Sequence, residues 1–590
     1  MHRPVLARVA AALCATFVVA GCGGSTSDEV RNDEAPAQLK PASVTFATFP
    51  SITRLTPNVD VDAGGETIDL EAARGEREGG QLVAWAAKGE PRVVLQVGDL
   101  RAKGGARIPA DRVHAYIEQA MTVEQGSPAS RSGVYVDPLI PADGRDVVLA
   151  NDERLLAWID VAVPADAKVG TYVGTVRVRR AGKDGAPVRG HEGDGDGGDS
   201  DPGDGVLARV PIRVQVRAAQ LPKVPTLASH VGLDQSQLVR FEEVAAGSTE
   251  LRDVTDRYAK LLADSRLSIG DVGAIPAGTL PGHRGLAGDE EYLERVFGRR
   301  GVASVRIPFY VTYPFEDPLG RDRAAAVRYL RAAAKWARAR GWADRMYVFA
   351  FDEPNDADAG AVRELDELLR EADPGLRQLV TREASARQFQ GAVDIWGPNV
   401  SPTRFRPADV TREHRRRNDT WWYPSITTFQ PYPTLFIDEL RPAPRALGWL
   451  AWRYGIDGFL YWTATHWQEV EDPYRDPGTY NETDVVGNGD GVLVYPGGPI
   501  GLPGTPIPSV RLFQLRDGIE DHDLLAMAAC AARATTGRSD DSGLARLAFA
   551  VAPSMDRIEP TQDQVKALRG AAFEILETAP AAAGCRTTGA

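Results

Sequence analysis

The sequence predicts a multidomain β plus α/β architecture: an N-terminal antiparallel β-sandwich, then a (β/α)8 TIM-like barrel with a C-terminal helical extension. Three observations predict it. Short, often alternating apolar segments broken by Gly, Pro and Asp run from about residue 42 to 224. From about residue 228, eight strand candidates alternate with helical patterns. The chain, at 590 residues, is also too long for one ordinary domain.

The N-terminus, MHRPVLARVAAALCATFVVAGC, carries Arg3 and Arg8, an apolar run from Val9 to Ala20, and small residues at its end. This describes a secretory signal, residues 1–21, too short to span a membrane. Val19-Ala20-Gly21-Cys22 looks like a bacterial lipobox, which predicts cleavage before Cys22 and lipid attachment to its sulfur. The expected product is exported and lipid-anchored to the outer face of the bacterial cell membrane. Residues 22–41 are polar and poor in aromatics, as a flexible tether would be. Of four Cys, Cys14 leaves with the signal and Cys22 carries lipid, so Cys530 and Cys585 remain as a disulfide candidate. A net charge of −13 gives no electrostatic footprint for nucleic acid.

In the sandwich region (42–224), GTYVGTVRVRR and VLARVPIRVQVRA read as hairpin partners. Their connection, about 181–205, is rich in Asp but lacks the closing Glu of a calcium loop, so it reads as a solvated, disordered tip. LPKVPTL (Leu221 to Leu227) reads as a linker into the barrel, 228–540. The barrel strand candidates are SHVGLD, LSIGDVG, ASVRIPFYVT, RMYVFAF, RQLVTR, AVDIW, TWWYPSIT and DGFLYWTAT. Ser248 and Gly341 mark a helix start and a helix stop. PSVRLFQLRDGIEDHDLLAMAACAARA predicts a long amphipathic helix, and the tail, 541–590, holds one more in DQVKALRGAAFEILETA.

On this map FAFDEPND ends the fourth barrel strand, where such barrels build their active sites. Asp352 and Glu353 are therefore the catalytic candidates. The alternative is that they serve only the turn, with Pro354 ending the ladder and Asn355 or Asp356 capping the next helix. Other strand ends contribute Asp394, Trp396 and Asn399; Trp421, Trp422 and Tyr423; and Tyr461, Trp462, His466 and Trp467. Five of the 11 Trp thus fall at three strands. Aromatic walls with a few carboxylates suit an oligosaccharide or glycoconjugate, whose CH faces stack on rings. Trp396, Asn399, Trp422, Tyr423, Tyr461, Trp462 and His466 are the expected substrate contacts. The chain has only 8 His and no HExxH, P-loop, dinucleotide fingerprint or GxSxG elbow, so neither a metal nor a cofactor is expected.

Adjacent acids suit ordinary glycosidases poorly, because those hold carboxylates about 5–5.5 Å or 6.5–9.5 Å apart across the scissile bond. Strand neighbours also point to opposite faces. Either Glu353 is the acid with a distant partner such as Asp438, or the substrate supplies the nucleophile through a 2-acetamido group. In the second case Asp352 orients the amide and stabilises the oxazolinium ion, while Glu353 serves as acid and then base.

FAFDEP, VDIWGPN, TWWYPS, PYPTLFID, FLYWT, GDGVLVYPG and PSVRLFQLRDGIEDHDLL occur in an order that resembles the catalytic domain of glycoside hydrolase family 123. The resemblance covers about 228–535, and the preceding sandwich resembles that family's N-terminal domain. Its most specific piece is Arg511 to Leu525. It implies a retaining β-N-acetylgalactosaminidase-like enzyme using substrate assistance, with Asp352 as oxazolinium stabiliser and Glu353 as acid/base. Tyr423 and Tyr461 are candidates for the acetamido contact. Arg511, Arg516, Glu520 and Asp521 read as a buried ion-pair network holding the terminal helix to the barrel. Two rivals stay open: a glycosidase on a non-acetamido glycan with a separate carboxylate nucleophile, and a non-catalytic carbohydrate-binding lipoprotein.

Overall fold

The computed structural model describes residues 44–89, 91–150, 153–182, 205–270, 290–482, 485–536 and 542–578. The signal segment with Cys22, the tether, most of the acidic hairpin tip, and Cys585 lie outside these residues. Cys530 is disulfide-bonded.

Two sheets form the N-terminal sandwich. One orders its strands Val44–Pro50, Arg77–Ala86, Arg154–Ala162, Val113–Val123, Gly133–Pro141. The other is built on Gly170–Arg180 and Val206–Gln220, the expected hairpin partners, which pair antiparallel. Val206–Gln220 continues as a parallel neighbour of Ile68–Arg74. Between the sheets lies a core of Leu82, Ala84, Ala157, Ile159, Val176, Val178, Val210 and Ile212. Alternation along the Arg154–Ala162 strand sends Trp158 to the opposite face, where it packs on Phe513 with ring centroids 6.0 Å apart. That strand is buried on both faces, because the barrel's terminal helix covers the sandwich.

The barrel is a nearly closed seven-stranded parallel sheet. Around it run Ala228–Val231, Gly458–Tyr461, Asp419–Trp422, Ile395–Trp396, Gln378–Val380, Met346–Phe351 and Val305–Arg306. Seven of the eight predicted segments supply these strands; the second, described only over residues 267–270, joins there by one bridge, Val231 to Ile269. Side chains add to that bridge. The Ser268 hydroxyl accepts the amides of Ala303 (2.9 Å) and Ser304 (3.1 Å), and the Ser229 hydroxyl accepts that of Ser268 at 2.8 Å. The third strand is only two residues long; Pro308, which has no amide hydrogen, follows it closely.

The LPKVPTL segment is pinned rather than loose: Thr226 donates its amide and hydroxyl to Asp523 Oδ1, both at 2.6 Å. The helix Val510–Thr536 departs from the amphipathic expectation. Its first fifteen residues are all buried, because it is wedged between the sandwich, the helix Ala443–Tyr454 and the helix Gln562–Thr578. The backbones of the first two cross so closely that a Cβ on Gly448 would lie 1.9 Å from the Gly518 carbonyl oxygen. Among its described residues the tail contains two helices, Ser542–Val551 and Gln562–Thr578, where one was expected.

Charges inside this wedge are paired, chiefly toward the sandwich rather than the barrel. Arg511 meets Asp137 (2.7 Å), Arg516 meets Asp160 (2.8 Å), and Glu520 accepts the Arg77 amide (3.2 Å). Asp521 takes Arg445 of the barrel helix at 2.8 Å and also Arg569, which reaches Glu76 at 2.8 Å. The expected network is present, and its main function is to bolt sandwich to barrel.

Candidate active site

Inside the barrel, Tyr347, Leu379, Ile395, Trp421, Tyr423 and Leu460 form a plug of inward-facing residues. The Met346–Phe351 strand rises past this plug and becomes irregular just before the acids. Its register against Gln378–Val380 shifts between Phe349 and Phe351, and two residues later Glu353 takes a left-handed backbone with φ +43°. A bulge re-aims side chains, and a non-glycine residue adopts positive φ only when its surroundings enforce it. The simple rule that strand neighbours oppose each other therefore stops applying at Asp352 and Glu353.

The following turn does not need either acid. Asn355 caps it, accepting the Ala357 amide at 2.8 Å, while Asp358 accepts the Asn355 amide at 2.8 Å. Asp352 and Glu353 are instead engaged by neighbouring strand ends. The Thr381 hydroxyl donates to Asp352 Oδ1 at 2.8 Å and accepts the Glu353 amide at 2.5 Å. The Tyr423 hydroxyl donates to Glu353 Oε1. Burial pushes the Asp352 carboxyl above the usual range; the Thr381 hydrogen bond opposes this, the Glu353 charge adds to it, and Arg306 opposes it. The Tyr423 phenol is raised by burial first, then by its bond to Glu353.

Beneath the acids, Arg306 lies 4.4 Å from the Tyr310 ring centroid and donates to the Phe349 carbonyl at 2.8 Å. His230 bonds the Tyr347 hydroxyl through Nδ1 at 2.7 Å and stands edge-on to Phe349. Burial, helped by Arg306, lowers the His230 imidazole well below its ordinary range, so it is neutral at pH 7.

Glu353 opens onto a cleft of about 360 Å³ walled by Thr381, Arg382, Asn399, Arg404, Tyr423, Phe429 and Tyr432. Phe429, 46% exposed, offers an aromatic face at the rim. Glu383 is the other carboxylate lining this cleft, and Arg404 holds it at 3.0 Å. The distant-partner candidate Asp438 is buried elsewhere, accepting the Ser127 amide at 2.6 Å and Asn488 Nδ2 at 3.1 Å. It serves the seam between sandwich and barrel.

Comparison with known families identifies the two domains. The family description "Glycoside hydrolase 123, catalytic domain" matches residues 319–528, and "Glycoside hydrolase 123 N-terminal domain" matches residues 54–180. Together they span more than half of the chain. The chain belongs to glycoside hydrolase family 123. Among solved structures, a family 123 glycoside hydrolase from Clostridium perfringens, described in terms of glycolipid glycan hydrolysis, superposes with TM-score 0.62 at 12% identity. That match covers 91% of this chain and 97% of the other, and it shows a shared fold. A β-glucuronidase from Bacteroides uniformis aligns at 10% identity over 77% of this chain and 48% of its own, with TM-score 0.28, too low to argue from. No curated protein matches the sequence.

Within this family 123 barrel, the predicted aromatic contacts divide. Tyr423 and Asn399 line the Glu353 cleft, with Asn399 also braced by Ser425 and Thr428, each at 3.1 Å. Trp396 does not reach it. That ring is fully buried under the helix Ala359–Ala372, and its Nε1 donates to Glu413 at 3.1 Å. Trp422 is likewise core, packed on Phe405 and Tyr454. Both residues fall on the outward phase of their strands, the phase that faces helices. Tyr461 is buried too, donating to Asp490 Oδ1 at 3.0 Å and accepting the Gly491 amide at 2.7 Å. Trp462 and His466 form a separate, half-buried group with Tyr480, the Trp462 ring lying 4.7 Å from His466 and its Nε1 donating to Asp490 at 3.3 Å. Thr381, Arg306 and His230 were missed in the sequence. A polar residue one position beyond an apolar strand run, as Thr381 stands after Gln378–Val380, was the available signal.

Proposed function

We propose that this family 123 enzyme hydrolyses β-linked 2-acetamido glycosides, N-acetylgalactosaminide-like, with retention and by substrate assistance. The observation that carries the reading is the adjacent pair Asp352–Glu353 beyond a bulged strand end, free of any capping duty. In the first step the acetamido carbonyl oxygen attacks C1 while the C1–O bond breaks, and Glu353 gives its proton to the leaving oxygen. Asp352, ionised, accepts the acetamido N–H and balances the positive charge of the oxazolinium ion. In the second step water attacks C1, Glu353 takes its proton, and the ring opens to restore the acetamido group. Tyr423 steadies the Glu353 carboxyl throughout.

The related Clostridium perfringens enzyme is described for glycolipid glycans, which supports a glycoconjugate as the substrate class here. Reading Cys22 as a lipidated residue adds a site of action at the outer membrane face, tested by comparing membrane and soluble fractions of wild type and Cys22→Ala. The chemistry is tested with an aryl β-N-acetylgalactosaminide and its non-acetamido analogue. Glu353→Gln should lower kcat by roughly 10²–10⁴, Asp352→Asn should hurt the acetamido substrate most, and a thiazoline mimic should inhibit. Substantial turnover in both variants would sink the mechanism.

A further inference from the structure

We propose that Thr381 is a positioning residue: its one hydroxyl, donating to Asp352 Oδ1 and accepting the Glu353 amide, fixes the two neighbouring acids against each other. The role rests on reading Asp352 and Glu353 as the reacting pair. A hydroxyl has a single proton, and here it goes to Asp352, so the same oxygen is left to accept from the Glu353 backbone. The bond therefore has a direction. It favours an ionised Asp352, and it braces Glu353, whose backbone stands at φ +43°.

The brace is itself rigid. Thr381 is 3% exposed, and Gly397 presses on it so closely that a Cβ there would lie 3.1 Å from the Thr381 Cα. The next residue completes the grip, since Arg382 Nη1 donates to the Pro354 carbonyl at 2.9 Å. Consecutive residues on one strand end thus hold Asp352, Glu353 and Pro354. Without the hydroxyl, the Asp352 carboxylate loses a donor that offsets its burial, and the left-handed turn loses an anchor.

The test compares Thr381→Val, Thr381→Ala and Thr381→Ser with wild type, Asp352→Asn and Glu353→Gln on an aryl β-N-acetylgalactosaminide. Removing the hydroxyl should lower kcat about 10²-fold, as a misplacement of reacting groups by about 1 Å does, with a much smaller change in KM. The acid limb of the pH profile should move to higher pH, because the lost bond was one that lowered the Asp352 pKa. Ser should recover most of the activity and the original limb. The Ser and Ala pair reads the same contrast should Val disturb folding. Wild-type turnover and pH profile in Val and Ala, or a Ser variant no better than Ala, would overturn the proposal. If Asp352→Asn and Glu353→Gln keep full turnover, the acid assignment itself has failed. Should wild type turn over no aryl glycoside, crystals of Thr381→Ala decide: residues 352–354 should shift or lose order, and unchanged positions would overturn the role.

Discussion

Asp137→Ala tests whether sandwich and barrel behave as one folding unit. Asp137, in a sandwich strand, grips Arg511 of the terminal barrel helix with two bonds, 2.9 Å to Nε and 2.7 Å to Nη2, and also accepts the Tyr495 hydroxyl at 2.5 Å. Both charged side chains are nearly sealed, at 5% and 1% exposure. Deleting the acid leaves a buried guanidinium without a counter-charge, held by the carbonyls of Leu435 and Gly489. Breaking a buried pair in this way costs about 3–5 kcal/mol, and the surviving carbonyls argue for about 3. Spread over the roughly 550 residues from Ala42 to Ala590, at about 2.1 cal/mol/K each, that cost lowers Tm by about 2–3 °C. Scanning calorimetry should show one transition displaced by that amount. The double variant Asp137→Leu/Arg511→Met should recover most of the loss, since replacing a whole buried pair by apolar groups is close to neutral. A shift under about 1 °C, or a double variant worse than the single one, would refute the reasoning; two separate transitions would show that the bolt does not couple the sheets.

Gly448→Ala should be among the most damaging single changes, costing more than about 3 kcal/mol, because its Cβ would enter the Gly518 carbonyl at a backbone-to-backbone crossing; soluble yield and the urea midpoint report it. Burial raises the carboxyls of Glu76, Glu118 and Asp517 to about 7 and that of Glu439 to about 8. The folded state therefore holds protons that the unfolded chain releases from about pH 4.5, so stability should fall as pH rises from about 4.5 to 8, each such group losing up to about 1.4 kcal/mol per pH unit between its unfolded and folded values. Urea unfolding at about pH 5.5 and pH 8 checks this, and equal midpoints would count against it. Trp396→Phe should lower Tm with little change in KM, whereas Phe429→Ala should raise KM about 3–10-fold at unchanged Tm; the reverse pattern would restore Trp396 as a substrate contact.

Much of the fold was legible because periodicity and punctuation are local. The hairpin of Gly170–Arg180 with Val206–Gln220, the eight barrel segments in order, and the Ser248 cap, which accepts the Leu251 amide at 3.0 Å, all follow from neighbouring residues. The weak pairing of the second barrel segment was not legible, because beyond its one backbone bridge it is tied by hydroxyls of Ser229 and Ser268 that meet their partners only in three dimensions. The aromatic contacts were half legible for a simple reason. Trp421 and Trp422 are equally apolar and adjacent, so sequence shows that one faces the barrel interior and one faces the helices but not which; the structure puts Trp421 inside and Trp422 outside.

By itself, the sequence determined that two acids stand together at a barrel strand end, and it named Asn399 and Tyr423, which line the cleft beside Glu353. It also carried the family in the long motif from Arg511 to Leu525. Only the tertiary structure decided how these two neighbouring acids are held. A register shift before them, a left-handed Glu353, and the hydroxyls of Thr381 and Tyr423 hold them. The register shift and the two hydroxyl contacts join residues from different strands, and side chains brought together by strand packing leave no periodic trace along the chain. The same holds for the helix motif: its charges read as a network in the sequence, but their partners Asp137, Asp160 and Arg77 lie more than 300 positions away in the sandwich.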